Sequence, residues 1–236
     1  MRPPAVSVGC ETRQVSGGSI TTGDCLDVLP TLRAGRYNLV LTDPPYAMPA
    51  TFYVGRQTGS RRWSDTSIMH RWFSLVAIQL DRVLTPDGTV AIFCDTISSA
   101  VFTSVLYTRF PTLKHMVWDK GSTGLGRSPR SSHELILVGQ RKCAWVRDNS
   151  IPTVLRAPRV PPARKRHLAQ KPVPVLVELI KFFCPPTGRV LDPFAGSGST
   201  LDAARSTGRE CDLIELDAAD TAPSAQLDFE EYVTAS

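Results

Sequence analysis

The sequence predicts an α/β fold with a mostly parallel sheet, because short apolar runs typical of buried strands alternate with segments of helical periodicity. One such run, Tyr37 to Thr42, ends at Asp43-Pro44-Pro45-Tyr46. A second, Arg189 to Asp192, leads into a glycine-rich loop and a helix start. Since open α/β sheets bind their ligands at the carboxyl ends of the strands, both segments are expected at the ligand-binding edge.

The other elements follow in chain order. Trp72 to Leu84 has the periodicity of an amphipathic helix, and a turn at Thr85 to Gly88 separates it from a buried strand at Gly88 to Cys94. Glu134 to Gly139 is a further apolar strand. Pro172 favours the start of a helix. The apolar face of that helix consists of Val175, Leu176, Leu179, Ile180 and Phe183.

The segment Asp43-Pro44-Pro45-Tyr46 combines an acid, two rigid residues and an aromatic ring. Proline has a fixed φ and no N–H, so the backbone carbonyls there remain free to accept hydrogen bonds. Asp43 and the Pro44 carbonyl can each accept a hydrogen bond from an exocyclic amine while Tyr46 stacks on the ring that carries it. This arrangement is typical of a nucleobase site.

The glycine-rich loop lies in the run from Asp192 to Thr200. Its glycines, Gly196 and Gly198, allow the backbone to approach a ligand closely. A dinucleotide fingerprint needs a third glycine where this chain has Leu201, which disfavours a pyrophosphate site. Glu215 ends the next strand about 20 residues downstream, the spacing at which an acid reaches ribose hydroxyls.

Together these segments resemble the S-adenosylmethionine-dependent amino methyltransferases of DNA. Three further stretches match in the family's order: Gly23-Asp24-Cys25, His167 to Pro172, and Ile214 to Asp217. The resemblance covers residues 19–217, which we take as a single catalytic domain. Because the catalytic motif precedes the cofactor loop, the resemblance implies the circularly permuted beta group. It therefore implies a Rossmann-like methyltransferase fold with a seven-stranded, mostly parallel sheet and one antiparallel strand.

The resemblance also implies an activity and a set of residues. The activity is methyl transfer from S-adenosylmethionine to the N6 amine of an adenine flipped out of duplex DNA. The catalytic residues are Asp43, Pro44, Pro45 and Tyr46. Asp24 is expected at the cofactor's adenine amine, and Asp192 at its methionine amino group. The predicted cofactor-binding residues are Asp24, Cys25, Lys171, Asp192, Phe194, Ala195, Gly196, Ser197, Gly198, Ser199, Thr200, Glu215 and Leu216.

Several alternatives stay open. Methylation of cytosine at N4 is associated with Ser in place of Asp43, and protein or RNA methyltransferases with Asn there and the unpermuted motif order. A catalytically silent DNA-binding or regulatory module is the alternative from another class. Asp24 can cap a turn at the strand end, and Phe194 can pack in the core. Lys171 and His167 can contact cofactor, phosphate or only solvent.

The net charge of +5 is unevenly distributed. Residues 141–171 carry nine Lys or Arg against the single acid Asp148, an excess of +8. We interpret residues 141–166, which also contain several prolines, as an irregular basic insertion that contacts DNA phosphates. The alternative without a binding role is a solvated, charge-rich loop. The predicted DNA-binding residues are Arg61, Arg62, Arg156, Arg159, Arg164, Lys165 and Arg166.

The cysteine content and the lengths of the apolar stretches indicate the cellular compartment expected for the protein. Six scattered cysteines form no Cys-x-x-Cys pair, so neither a metal site nor a disulfide framework is expected, and a reducing cytoplasm is the simpler interpretation. The sequence has no apolar stretch that suits a bilayer. Residues 1–18 and 218–236 are expected to be peripheral arms. Beyond DNA, the resemblance allows a homodimer and a cognate enzyme of a restriction-modification pair as partners.

Overall fold

The computed structural model describes residues 10–46, 65–124, 129–161 and 170–217. Within these ranges one nine-stranded sheet forms the centre of the molecule. The strands are β1 (Glu11–Val15), β2 (Gly18–Thr22), β3 (Tyr37–Thr42), β4 (Leu84–Cys94), β5 (Thr112–Asp119), β6 (His133–Gln140), β7 (Val154–Arg156), β8 (Arg189–Asp192) and β9 (Glu210–Glu215). The helices are α1 (Cys25–Val28), α2 (Thr66–Val83), α3 (Thr96–Leu106), α4 (Val173–Phe183) and α5 (Ser199–Ser206).

The order of strands across the sheet is β1-β2-β9-β8-β3-β4-β6-β5-β7. Strands β2, β9, β8, β3 and β4 pair in parallel, whereas β6 pairs antiparallel with both β4 and β5. The predicted mostly parallel α/β fold is confirmed. The predicted count of seven strands is wrong, because two edge strands extend the sheet. Strand β1 joins antiparallel to β2 at one end, within the expected arm 1–18, and the three-residue β7 joins β5 at the other.

Helices cover both faces of the sheet. Strand β3 contributes Leu39 and Leu41 to the core with α4 and α5, and Tyr37 and Val40 to the core with α1, α2 and α3. Alternation along the strand separates Val40 from Leu39 and Leu41, whereas Tyr37 precedes an irregularity in the pairing with β4. All four of these side chains are fully buried. The central strand therefore contributes to two apolar cores and is held from both sides.

The predicted turn at Thr85 to Gly88 has a different structure. It lies inside β4, where Tyr37 pairs with Leu84 but Leu39 pairs with Thr89, so the β4 backbone carries extra residues at this point. The segment is a bulge rather than a turn between two elements. Helix α2 ends directly at the start of β4, and it begins at Thr66, before the predicted Trp72.

A buried carboxylate fixes the strands that lead to the functional edge. Asp212 in β9 accepts hydrogen bonds from the Ser19 hydroxyl of β2 at 2.8 Å and from the Tyr37 hydroxyl of β3 at 2.9 Å. Arg189 of β8 donates to the same carboxylate at 2.8 Å. One side chain thus links four neighbouring strands near their amino ends.

Candidate active site

Four neighbouring parallel strands end side by side, and a predicted motif follows each of them. Asp24 follows β2, Glu215 ends β9, the glycine-rich loop follows β8, and Asp43 follows β3. The motifs are far apart in sequence, but parallel strands present their carboxyl ends at one edge of the sheet. The fold therefore brings together the segments predicted to be catalytic and cofactor-binding.

The glycine-rich loop takes a conformation that requires its glycines. Gly196 and Gly198 have φ values of 46° and 77°, in the left-handed region that favours glycine. The loop is tied down by the Ala195 N–H, which donates to the Ile214 carbonyl of β9 at 3.0 Å. Gly198 then caps the start of α5. The result is a fixed backbone cradle between β8 and β9.

Glu215 holds that cradle from the neighbouring strand. Its Oε2 accepts a hydrogen bond from the Gly196 N–H at 2.6 Å, and its Oε1 accepts one from the Leu216 N–H at 2.8 Å. The Glu215 carbonyl accepts from the Gly23 N–H at 2.8 Å, which joins the ends of β2 and β9. Each carboxylate oxygen has a second lone pair. The side chain is therefore fixed in place and still able to accept hydroxyl donors.

Asp24 caps helix α1, where its Oδ1 accepts a hydrogen bond from the Leu26 N–H at 3.0 Å. This is the local capping role considered in the sequence analysis. Cys25, the first residue of the helix, is buried. Contact of Asp24 and Cys25 with a cofactor stays a prediction.

Asp192 joins three elements around the start of the loop. It accepts hydrogen bonds from the Thr42 hydroxyl of β3 and the Thr200 hydroxyl of α5, both at 2.6 Å, and from the Phe194 N–H at 3.1 Å. Burial raises the pKa of Asp192 to about 6, and the two threonine hydrogen bonds only partly oppose this. The observed partners of Asp192 are thus protein groups, and its predicted contact with a methionine amino group is untested.

The other residues of the glycine-rich loop either pack in the core or form part of the cradle. The Phe194 ring lies 5.5 Å from the Trp72 ring of α2, so its observed contact is the core-packing alternative. Ser197, Ser199 and Thr200 are buried within the loop and the first turn of α5. Their predicted contact with a cofactor remains a proposal. Because these side chains are buried, we propose that their backbone groups make that contact.

Asp43 lies in a cluster of polar and charged side chains at the end of β3. The Tyr46 hydroxyl donates a hydrogen bond to Oδ1 of Asp43, and the Lys171 ammonium donates to Oδ2. Lys171 Nζ is also 3.4 Å from the Tyr46 hydroxyl. Burial raises the pKa of Asp43, an effect that the Lys171 charge only partly offsets, and burial together with Asp43 raises the pKa of Tyr46.

Lys171 was predicted among the cofactor-binding residues, and the structure places it in the Asp43 cluster. Pro172 follows it and caps α4, which packs against β3 and β4, so the lysine is directed toward the end of β3. Its side chain is only 8% exposed. Burial lowers the pKa of Lys171, but the charges of Asp43 and Glu134 outweigh burial and raise it overall.

Glu134 is a residue of this cluster that sequence reasoning missed. Its Oε2 is 3.1 Å from Lys171 Nζ, and its Oε1 accepts a hydrogen bond from Lys120 Nζ at 2.6 Å. Burial raises the pKa of Glu134, but the two lysines outweigh burial and lower it overall. Glu134 is the second residue of the antiparallel strand β6, whose amino end meets the carboxyl end of β4. That reversal was the available signal, since it brings a strand's first residues to the functional edge.

Of the predicted DNA-binding residues, two lie in the described ranges. Arg156 ends β7, its side chain is 85% exposed, and its Nε is 3.6 Å from the Asp119 carboxylate. Arg159 donates to the Ser131 carbonyl at 3.5 Å. Because β7 runs parallel to β5, Arg156 projects from the same edge of the sheet as Asp43. The others, Arg61, Arg62, Arg164, Lys165 and Arg166, lie outside the described residues, as does His167.

The described part of the chain lacks two further kinds of feature. There, no group of three or more His, Cys, Asp or Glu side chains is placed to hold a metal ion. Nor does any helix in the same ranges have the length and apolar character needed to cross a membrane.

Comparison with known proteins identifies the class that this fold and site define. The DNA methylase family matches the chain in two overlapping segments, residues 37–149 and 141–221. The chain belongs to this family, which comprises amino methyltransferases of DNA acting at adenine N6 or cytosine N4.

Individual proteins are similar over most of the chain. YubD from Escherichia coli (strain K12) is 29% identical over 195 residues, which are 82% of this chain and 82% of that protein. The solved PvuII DNA methyltransferase, described as cytosine-N4-specific, superposes with a TM-score of 0.71 at 17% identity and covers 94% of this chain and 92% of its own. The M1.HpyAVI–SAM complex superposes with a TM-score of 0.63 at 20% identity, covering 85% and 94%. These two structures confirm the Rossmann-like methyltransferase fold.

Proposed function

We propose that this protein transfers a methyl group from S-adenosylmethionine to the N6 amine of adenine in DNA. The observation that carries the proposal is the hydrogen bond from the Thr42 hydroxyl to Asp192 at 2.6 Å. Thr42 immediately precedes Asp43, and Asp192 begins the glycine-rich run. The amine acceptors and the cofactor cradle are therefore held against each other on adjacent strands.

The residues at the edge fit S-adenosylmethionine. This cofactor, when bound, supplies a methyl group on a positively charged sulfur, which is a good leaving group. The cradle at Gly196 and Gly198 admits a ligand close to the backbone, and Glu215 offers fixed carboxylate oxygens to ribose hydroxyls. Asp24, at the end of β2, lies on the far side of Glu215 and suits an amine donor. A neighbour of the same fold, M1.HpyAVI, has been solved with SAM.

The chain's own contribution to the reaction is position and hydrogen bonding. The lone pair of an exocyclic amine is delocalised into the ring. Acceptors at Asp43 and the Pro44 carbonyl that hold its hydrogens favour the pyramidal, nucleophilic geometry. The nitrogen then forms a bond to the methyl carbon, the carbon–sulfur bond breaks with its electron pair on sulfur, and the nitrogen loses its surplus proton to water. Tyr46 stacks on the flipped base. Holding the nitrogen, the methyl carbon and the sulfur in line accelerates the methyl transfer.

Cytosine N4 is the second candidate, and one observation favours it: the PvuII enzyme, which shares the fold over 92% of its length, is described as cytosine-N4-specific. The presence of Asp43 rather than Ser supports adenine. To test this, unmethylated genomic DNA is incubated with the protein and isotopically labelled S-adenosylmethionine, and the digested nucleosides are separated by mass spectrometry. We expect label in N6-methyladenine. Label in N4-methylcytosine would assign the alternative, and no label would indicate a silent module.

We also propose that the basic stretch 141–166 contacts DNA phosphates, with Arg156 at the catalytic edge as support. With about half of its cations on phosphate, the slope of log affinity against log salt concentration should be roughly -4 for duplex DNA. Neutralising Arg164, Lys165 and Arg166 together should flatten this slope by up to about 3 and weaken binding to all sequences alike. Fluorescence anisotropy across a salt series measures both effects.

The control for this prediction is Arg13→Ala, an exposed arginine of β1 at the opposite end of the sheet. It should leave the slope unchanged. Because a short segment with several prolines braces few side chains in a groove, we also propose a short or relaxed target containing adenine. Binding that is indifferent to salt, or a long and strictly observed recognition sequence in a modification map, would contradict this assignment.

A further inference from the structure

Two protein groups compete with a target amine for the carboxylate of Asp43. Both of its carboxylate oxygens accept hydrogen bonds from the protein, one from the Tyr46 hydroxyl and one from the Lys171 ammonium. The target amine needs an acceptor at the same carboxylate. A charge-assisted hydrogen bond from an ammonium competes directly with the weaker bond from a neutral amine. Each oxygen keeps a second lone pair, so the amine can bind beside Lys171, but Asp43 is a stronger acceptor for it once Lys171 has moved away.

A buried ammonium cannot simply be released. The Lys171 side chain is 8% exposed, and leaving such a charge unpaired is strongly unfavourable. It needs a second anionic acceptor within a short reach. Glu134 supplies one, because its Oε2 is already 3.1 Å from Lys171 Nζ.

Glu134 is built to receive this lysine. Lys120 holds its Oε1 at 2.6 Å, which fixes the carboxylate, whereas the buried Oε2 has no aligned hydrogen bond. The Lys171 ammonium also lies 5.1 Å from the ring centre of Phe93 and 5.5 Å from that of Tyr46. Aromatic faces attract a cation without binding it in one direction, so they permit a short movement between the two carboxylates.

We infer that Glu134 is a positioning residue that accepts Lys171 from Asp43 when the target base binds, and so makes Asp43 a stronger hydrogen-bond acceptor for the amine. This inference rests on the proposed methyl transfer to an exocyclic amine. The exchange moves no covalent bond and no net charge: the cluster of Asp43, Lys171, Glu134 and Lys120 contains two acids and two bases before and after it.

The test is Glu134→Gln, because glutamine keeps the size and the acceptor for Lys120 but lacks the charge that attracts Lys171. Lys171 should then stay on Asp43. We expect the single-turnover rate of methylation of unmethylated genomic DNA, at saturating protein, to fall about 10- to 100-fold. The half-saturating S-adenosylmethionine concentration should stay at the wild-type value, whereas the unfolding temperature should fall, because Lys120, whose side chain is only 10% exposed, loses its charged partner. Glu134→Asp, which retains the charge, should recover part of the lost rate.

The matched control is Glu178→Gln, an exposed glutamate on α4, which should behave as wild type. A wild-type single-turnover rate in Glu134→Gln would overturn the inference. So would a loss confined to DNA affinity, which would make Glu134 a base contact, or a loss of rate that Glu134→Asp does not recover. If the wild-type protein itself labels no base, the proposed function fails, and this outcome is distinct from every result on Glu134.

Discussion

Asp43→Ala is expected to abolish methyl transfer while leaving S-adenosylmethionine affinity near the wild-type value. Asp43 is the acceptor proposed to hold the target amine, and losses of about 10²- to 10³-fold or more accompany removal of such a preorganised polar group. The fold should survive, because Lys171 keeps its ion pair with Glu134 at 3.1 Å. Transfer is measured with labelled cofactor on unmethylated DNA, and cofactor binding by calorimetry.

Asp43→Asn is the sharper variant, since it keeps the shape of the side chain and removes only the charge. Asp65→Asn is its control: Asp65 caps α2 outside the cluster, and asparagine also caps helices well. It should methylate at the wild-type rate. Transfer by Asp43→Ala at a rate close to wild type would show that Asp43 does not hold the amine.

Glu215→Ala should weaken S-adenosylmethionine binding by about 10- to 150-fold, which corresponds to the 1.5–3 kcal/mol or so of a charge-assisted hydrogen bond. Two effects combine here, the lost contact to ribose hydroxyls and the lost anchor on the Gly196 N–H at 2.6 Å. Isothermal titration calorimetry with the cofactor alone measures the change without any DNA.

Glu210→Ala is the matched control, because Glu210 lies at the other end of β9 and its side chain is 61% exposed. Its partner Arg189 keeps Asp212. Cofactor affinity in this variant should equal that of wild type. If Glu215→Ala also binds the cofactor normally, the glycine-rich loop is not the cofactor cradle.

The sequence predicted the elements whose side chains are buried on a regular period. Strand β3 has the predicted limits, and α4 has the predicted apolar face, because burial imposes a visible pattern on each. Strand β1 escaped prediction because four of its five residues are exposed, so nothing forces an alternation of apolar side chains. The three-residue β7 is too short to show a period.

The candidate site likewise contains residues that the sequence predicts and contacts that it does not. The motif at Asp43 and the acid at Glu215 can be predicted from the sequence, because each lies at the end of a recognisable strand. The pairing of Lys171 with Asp43 joins residues 128 positions apart, and no local pattern records it. The bonds of Asp192 depend on Thr42 from the neighbouring strand. Contacts of this kind follow from the order of strands in the sheet, which the sequence does not display.

The position of β9 has a consequence for how the protein is made. This last described strand lies between β2 and β8. Within the described residues, β2 pairs with β9 and β1 alone. The hairpin of β1 and β2 leaves the ribosome before the other described strands but cannot join the sheet until residues 210–215 have been synthesised. Asp24, which follows β2, therefore joins Glu215 at the sheet edge only after β9 has been synthesised. A growing chain thus exposes the proposed catalytic motif at Asp43 long before the proposed cofactor edge is complete.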